Sequence, residues 1–152
     1  MGRLMGIDYG DKRIGIALSD ELKIIASPYK VIINNGDNIF DEILREIKEN
    51  NVEALIVGMP LSMSGGDTKQ TIKVREFVDK LKKVIDIGIF IIDERLTTAE
   101  AMRTMHFKGE KIRHNKHKVD MISASLILQT YLDSRGKVGG YPKHSNDSEE
   151  DF

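Results

Sequence analysis

A chain of 152 residues, 40% hydrophobic and 31% charged, is long enough for one domain with a substantial core. It has no cysteine, which excludes a disulfide framework and a thiolate metal centre. No apolar run approaches the ~18 residues of a membrane span, and Met1 leads straight into a strand pattern with no signal-peptide features, so a soluble, cytoplasmic protein is expected.

The net charge of −1 conceals an asymmetry. Asp147, Glu149, Glu150 and Asp151 cluster in the last eight residues; without them 20 acidic residues face 23 basic ones, so residues 1–144 carry about +3. That is a mild lean towards anionic partners.

Leu4 to Ser19 reads as two short apolar strands joined by a tight turn at Tyr9 to Lys12, with Gly10 free to take positive φ. Asp8 falls where the first strand ends, and strand interiors disfavour an aspartate. A carboxylate on the rim of a sheet can ligate a cation, and the glycines beside it leave room for a phosphate. Alternatively, Asp8 only shapes the turn.

A third strand is expected within Lys23 to Ile33, best at Tyr29 to Ile33 after Pro28. Asn38 then offers a cap for a helix with Ile39, Phe40, Ile43, Leu44 and Ile47 on one face and Asp41, Glu42, Arg45, Glu46 and Glu49 on the other. Ala54 to Val57 is a short continuous apolar run, the pattern of a strand buried on both faces. A Gly-rich loop over Leu61 to Asp67 lacks the Lys-Ser/Thr of a phosphate-binding loop. It leads to a helix ending near Val84, with Val74, Phe77, Val78, Leu81 and Ile85 on its core face.

Gly88 to Ile92 predicts another buried strand, running into Asp93, Glu94 and Arg95. Thr97 and Glu100 have capping-box spacing for a helix to about Phe107. Val119 to Leu132 is apolar nearly all round, as in a largely buried helix. From Gly136 the composition predicts a disordered acidic tail, so the domain should span residues 1–135 and the tail 136–152. Strands joined by short turns favour antiparallel pairing and strands reached through helices favour parallel addition. The expected architecture is α/β: a five-stranded mixed sheet, three antiparallel then two parallel strands, flanked by helices.

Such sheets carry their sites at the carboxyl ends of parallel strands. Asp8 and the Asp93–Glu94 pair should share that edge. Asp120 interrupts the apolar start of the last helix, where a charge needs a partner or a cation. Three converging carboxylates suit Mg²⁺ or Mn²⁺, hard ions that take oxygen ligands. Such a centre can serve phosphodiester hydrolysis. Singly, each acid has a structural reading as well: Glu94 as half of a surface pair with Arg95, and Asp120 as a first-turn acid favoured by the helix dipole.

Lys12 and Arg13, in the turn after Asp8, are placed to hold a phosphate. Residues 103–118 hold Arg103, Lys108, Lys111, Arg113, Lys116 and Lys118 against Glu110 alone, a density suited to gripping a nucleic-acid backbone. Arg95 and His117 complete this candidate phosphate-contacting set. His114 and His117 are three apart, but phosphate contact explains them better than metal ligation.

Gly6-Ile7-Asp8-Tyr9-Gly10-Asp11-Lys12-Arg13-Ile14-Gly15-Ile16-Ala17, with Ser19-Asp20, resembles the opening motif of the YqgF/RuvX family. Gly58-Met59-Pro60, Asp93-Glu94-Arg95-Leu96-Thr97-Thr98, and Lys118-Val119-Asp120 through Ile127-Leu128-Gln129-Thr130-Tyr131-Leu132 are similar to its other three motifs, in order, over about residues 3–133. The resemblance implies a ribonuclease H-like fold and an acidic triad on Asp8, Glu94 and Asp120. It also implies activity as a Holliday junction resolvase or as a nuclease that matures the end of precursor 16S ribosomal RNA. Met59 and Ser123 depart from the family pattern, which usually has Leu and Ala there, and both read as packing changes.

The expected function is therefore a Mg²⁺- or Mn²⁺-dependent nuclease on structured nucleic acid, first pre-16S rRNA and second branched DNA. Two rivals remain: an actin- or sugar-kinase-like ATP-binding fold, for which the chain is short, and a non-catalytic nucleic-acid-binding factor. A monomer and a homodimer are both compatible with the sequence.

Overall fold

The structure is a computed structural model and describes residues 2–36, 38–97, 99–104 and 116–135. Its strands are β1 (Arg3–Tyr9), β2 (Arg13–Ser19), β3 (Ala26–Ile33), β4 (Val52–Met59) and β5 (Gly88–Asp93). Its helices are α1 (Asn38–Glu49), α2 (Lys69–Val84), α3 (Ala99–Thr104) and α4 (Lys116–Arg135), with a 3₁₀ turn over Glu94–Leu96. The strands form one sheet in the order β3-β2-β1-β4-β5. β1–β2 and β2–β3 are antiparallel, and β1–β4 and β4–β5 are parallel. This is the expected mixed sheet. Among the described residues no helix is long and apolar enough to cross a membrane.

Alternation along β1 separates two cores. Met5 and Ile7 face α1 and α2, joining Ile39, Ile43, Val74, Phe77, Val78 and Leu81. Leu4 faces α4, joining Ala124, Ile127, Leu128 and Leu132. Tyr9 continues the first layer by stacking on Phe77 at 4.3 Å. The helical faces read from spacing are thus the buried ones. α4 is largely buried as expected, and its amide Gln129 is satisfied inside the core. Its Oε1 accepts from the Ala26 N–H (2.8 Å), while Nε2 donates to the Ile24 carbonyl (2.9 Å) and to Asp133 (2.9 Å).

Several local expectations are corrected. Gly10 does not adopt positive φ; Gly36 and Gly65 are the described glycines that do. Gly10 instead sits where a Cβ would lie 2.6 Å from the Arg13 carbonyl oxygen, which accepts the Gly10 N–H at 3.0 Å. Pro28 lies inside β3, tolerated because β3 is an edge strand whose pairing shifts register between Ile16 and Ala17. β5 is the other edge, so Ile91 is 46% exposed and the strand is not buried on both faces. Thr97 does not cap α3; its hydroxyl donates to the Glu94 carbonyl at 2.9 Å and closes the 3₁₀ turn. α2 does have a capping box, built by Thr68 and Thr71. The expected tail, 136–152, lies outside the described residues.

Glu46 is the clearest departure, since helical spacing placed it on the solvent face. It is 4% exposed and accepts from the Tyr29 hydroxyl (2.6 Å), Lys30 Nζ (2.7 Å) and Asn50 Nδ2 (3.2 Å). Burial acts to raise its pKa, but the bonds from Lys30 and Tyr29 outweigh it and hold the carboxyl below its ordinary range. Its stabilisation is therefore present above the unfolded pKa and lost as pH falls through the lower folded value. Glu46→Ala should cost about 2 kcal/mol at neutral pH, because it strips partners from Tyr29 and Lys30. The cost should shrink in acid, as urea titrations at two pH values would read.

Candidate active site

β1, β4 and β5 run in one direction, so their carboxyl ends line one edge. Asp8, the penultimate residue of β1, pairs with Gly15 of β2. Glu94 follows directly on β5. Between them lies Gly58, the next-to-last residue of β4, where an added Cβ would lie 2.8 Å from Glu94 Oε1 and would collide with Ile127. The missing side chain at Gly58 lets the Glu94 carboxyl lie over β4 and approach Asp8.

Asp120 comes from the opposite direction, on α4. Its backbone rests on β2 at Gly15, where any Cβ would run into the Asp120 carbonyl group. Asp8 and Gly15 are cross-strand partners, so the close approach of helix to strand brings Asp120 alongside Asp8. Arg13 holds the Asp120 carboxylate, donating from Nε to Oδ2 at 2.6 Å. Both groups are mostly shielded, at 27% and 23% side-chain exposure.

The electrostatics follow from this crowding. The pKa of Asp8 is pushed up to about 7, first by burial and then by the charges of Glu94 and Asp120. Glu94 is also raised, mainly by burial, against the hydrogen bond from Asp8. Burial and mutual repulsion thus favour the protonated forms of both carboxyls, and the pair titrates as one system. Asp8, Glu94, Thr97, Ser123, Leu126 and Ile127 line an open cleft of about 300 Å³.

The two acids at the end of β5 separate completely. Asp93 faces Arg95, accepting from Nε at 3.0 Å, from Nη2 at 2.5 Å and from the backbone N–H at 2.9 Å. Arg95 thus pairs with Asp93 rather than Glu94, which leaves Glu94 to Asp8. Arg95 also donates to the carbonyls of Ser62 (3.4 Å) and Met63 (3.3 Å), bracing the Gly-rich loop at the rim.

Of the other residues singled out from sequence, Lys12 is exposed on the turn beside Asp8. Lys108, Lys111 and Arg113 lie outside the described residues. Lys116 and His117 open α4, with side chains outside the description. Among the described residues no three acidic or histidine side chains close into a ready cation cage. The fit to a divalent cation rests on the donor set: two hard carboxyls lining one cleft, whose burial and mutual charge oppose ionisation, and a third beside them held by Arg13.

Sequence reasoning missed the Arg13–Asp120 pair and the placing of Ser123 and Thr97 in the cleft. Gly15 and Gly58 were the available signal, since a glycine inside a strand marks close approach of another group.

A model of the RuvX family, described as Holliday junction resolvase, matches residues 2–134. A Roseiflexus protein named "Putative pre-16S rRNA nuclease" is 43% identical over 135 residues, covering 88% of this chain and 96% of its own. A Halothermothrix orenii protein of the same name is 40% identical over 139 residues, with 91% and 99% covered. Among solved structures, RuvC of T. thermophilus with a Holliday junction substrate superposes with a TM-score of 0.53 at 12% identity, covering 91% of this chain and 97% of that one. The Fowlpox virus resolvase in complex with Holliday junction DNA gives 0.54 at 13% identity, covering 87% and 97%. At such identities these structures speak for the fold, which is ribonuclease H-like.

Proposed function

The chain belongs to the RuvX family, and on that premise we propose that it is a divalent-cation-dependent nuclease that trims pre-16S rRNA. The observation that carries this reading is the Asp8–Glu94 pair lining one cleft at the carboxyl edge of the sheet, with Asp120 brought alongside at Gly15. Relatives alike over nearly their whole length and named for pre-16S rRNA support the choice of substrate. A role on ribosomal precursors goes with a cytoplasmic location.

Asp8, Glu94 and Asp120 would hold Mg²⁺ or Mn²⁺. When bound, the ion supplies positive charge that relieves the carboxylates and offsets the charge developing on a phosphodiester. The chain's own residues set up the rest. Arg13 fixes the Asp120 carboxylate through Oδ2, as outer-shell donors orient ligating acids. Gly58 and Gly15 set how closely Glu94 and Asp120 approach Asp8. Lys12 and the basic residues 108–117 would contact backbone phosphates on either side of the cut. Arg95 would act by bracing the rim loop against Asp93.

The test is purified protein with Mn²⁺ on end-labelled precursor 16S rRNA, beside a four-way DNA junction. Site-specific trimming of the RNA, lost with EDTA, is expected. Cleavage of the junction alone would move the protein to recombination, and binding to both with cleavage of neither would make it a non-catalytic factor.

A further inference from the structure

The two helices that cover one face of the sheet carry opposite charge. α1 has four acidic residues against Arg45 and Lys48, whereas α2 has six basic residues against Glu76 and Asp79. In a protein of net charge −1, cations outnumber acids on one helix and are outnumbered by them on its neighbour. Core packing does not require this, because the residues α2 buries are Thr71, Val74, Phe77, Val78 and Leu81.

The placing of the cations is directional. Lys69, Lys73, Lys80 and Lys83 recur at helical spacing on one exposed edge of α2, with Glu76 the one acid among them. At a rise of 1.5 Å per residue, Lys69 to Lys83 spans about 21 Å. The end carrying Lys69 lies at the β1–β2 turn next to Asp8: Gln70 Nε2 donates to the Tyr9 carbonyl at 3.3 Å, and Lys73 Nζ lies 3.1 Å from Asp11. Exposed Lys12 on that turn extends the line to the rim of the cleft. The Lys73–Asp11 pair is itself half exposed, at 50% and 57%, so it is weak and exchangeable for a phosphate.

We propose that this edge of α2 is a second nucleic-acid surface, which follows the phosphate backbone of a duplex leading away from the cleavage site. The inference builds on the nuclease reading. It adds that the substrate is base-paired beside the cut and held over about 21 Å by charge and not by base contacts. Neutralising such contacts removes counterion release, so affinity falls and its dependence on salt flattens.

The test uses the full chain without divalent metal, so that binding is read apart from cleavage. Lys69→Gln/Lys80→Gln/Lys83→Gln is compared with wild type and with an α1 control, Arg45→Gln/Lys48→Gln. The probe is a fluorescent 24-base-pair RNA duplex titrated at several KCl concentrations. The triple variant is expected to bind about tenfold or more weakly at low salt, with a slope of log affinity against log salt flatter by up to about 0.9 per lysine. The α1 control should match wild type, and circular dichroism should show the triple variant as helical as wild type. A triple variant with wild-type slope and affinity overturns the surface, as does an equal loss in the control. Absence of Mn²⁺-dependent cleavage by wild type would bear on the nuclease reading alone, leaving the binding result intact.

Discussion

Asp8→Asn should abolish Mn²⁺-dependent cleavage and, in the same protein, raise the stability of the metal-free fold. The two effects have one cause. Asp8 titrates at about 7 instead of near 4, because burial and the neighbouring acids Glu94 and Asp120 oppose its ionisation. The folded state therefore keeps a proton that the unfolded chain releases between those pH values. Metal-free stability should fall as pH rises from about 4 to about 7 and then level off, since in that window the native state binds more protons. Asparagine has no such proton to lose and can still donate to Glu94. The stability gap in favour of the variant should thus be small near pH 4, grow towards pH 7, and reach at least about 1 kcal/mol above it, the value of one pK unit.

Added Mn²⁺ should reverse the order. Wild type gains stability by binding the ion in its folded state, about 2.7 kcal/mol at a hundred times Kd, and the variant gains less because it lacks a hard oxygen ligand. Thermal melts at pH 5 and pH 8, with EDTA and with Mn²⁺, read all four quantities. A variant that still cleaves at the wild-type rate with Mn²⁺ would leave Asp8 as a turn residue only.

Gly15→Ala should be strongly disruptive, with the closest approach to an added Cβ among the described glycines. A Cβ at Gly15 would overlap the carbonyl of Asp120 and come within 3.2 Å of the Met121 nitrogen. These are backbone atoms of a buried helix, so no side-chain rotamer relieves the clash and α4 itself must move. Overpacking typically costs about 1–3 kcal/mol where neighbours can give, and more where they cannot, so a loss of about 3 kcal/mol or more is expected. The displacement also draws Asp120 away from Asp8, so cleavage should fall further than the folded fraction does. Measuring rate per folded molecule, from activity and melting data at one temperature, separates the two. Near-wild-type stability would show that the helix–strand approach is not tight at Gly15.

Much of the fold is written locally. Apolar residues at helical spacing marked the faces that α1 and α2 bury, and the short runs around Ile7, Ile56 and Phe90 marked strands, since side-chain periodicity is a property of the backbone geometry itself. The connection pattern then fixed the mixed sheet, and its parallel ends placed Asp8 and Glu94 on one edge. Glu46 shows the limit: its helical position pointed to solvent, and only β3 passing alongside, with Tyr29 and Lys30, made it a buried acceptor. The Asp93–Glu94–Arg95 triplet likewise could not be resolved in one dimension. The 3₁₀ turn hands Asp93 to Arg95 and turns Glu94 over Gly58. Arg13 and Asp120, 107 positions apart, meet because Gly15 lets α4 settle onto β2. Sequence alone determined which side chains can carry charge and which backbone ends present them. The tertiary structure decided which charge meets which, because pairing depends on ångström-scale approaches between elements distant in the chain.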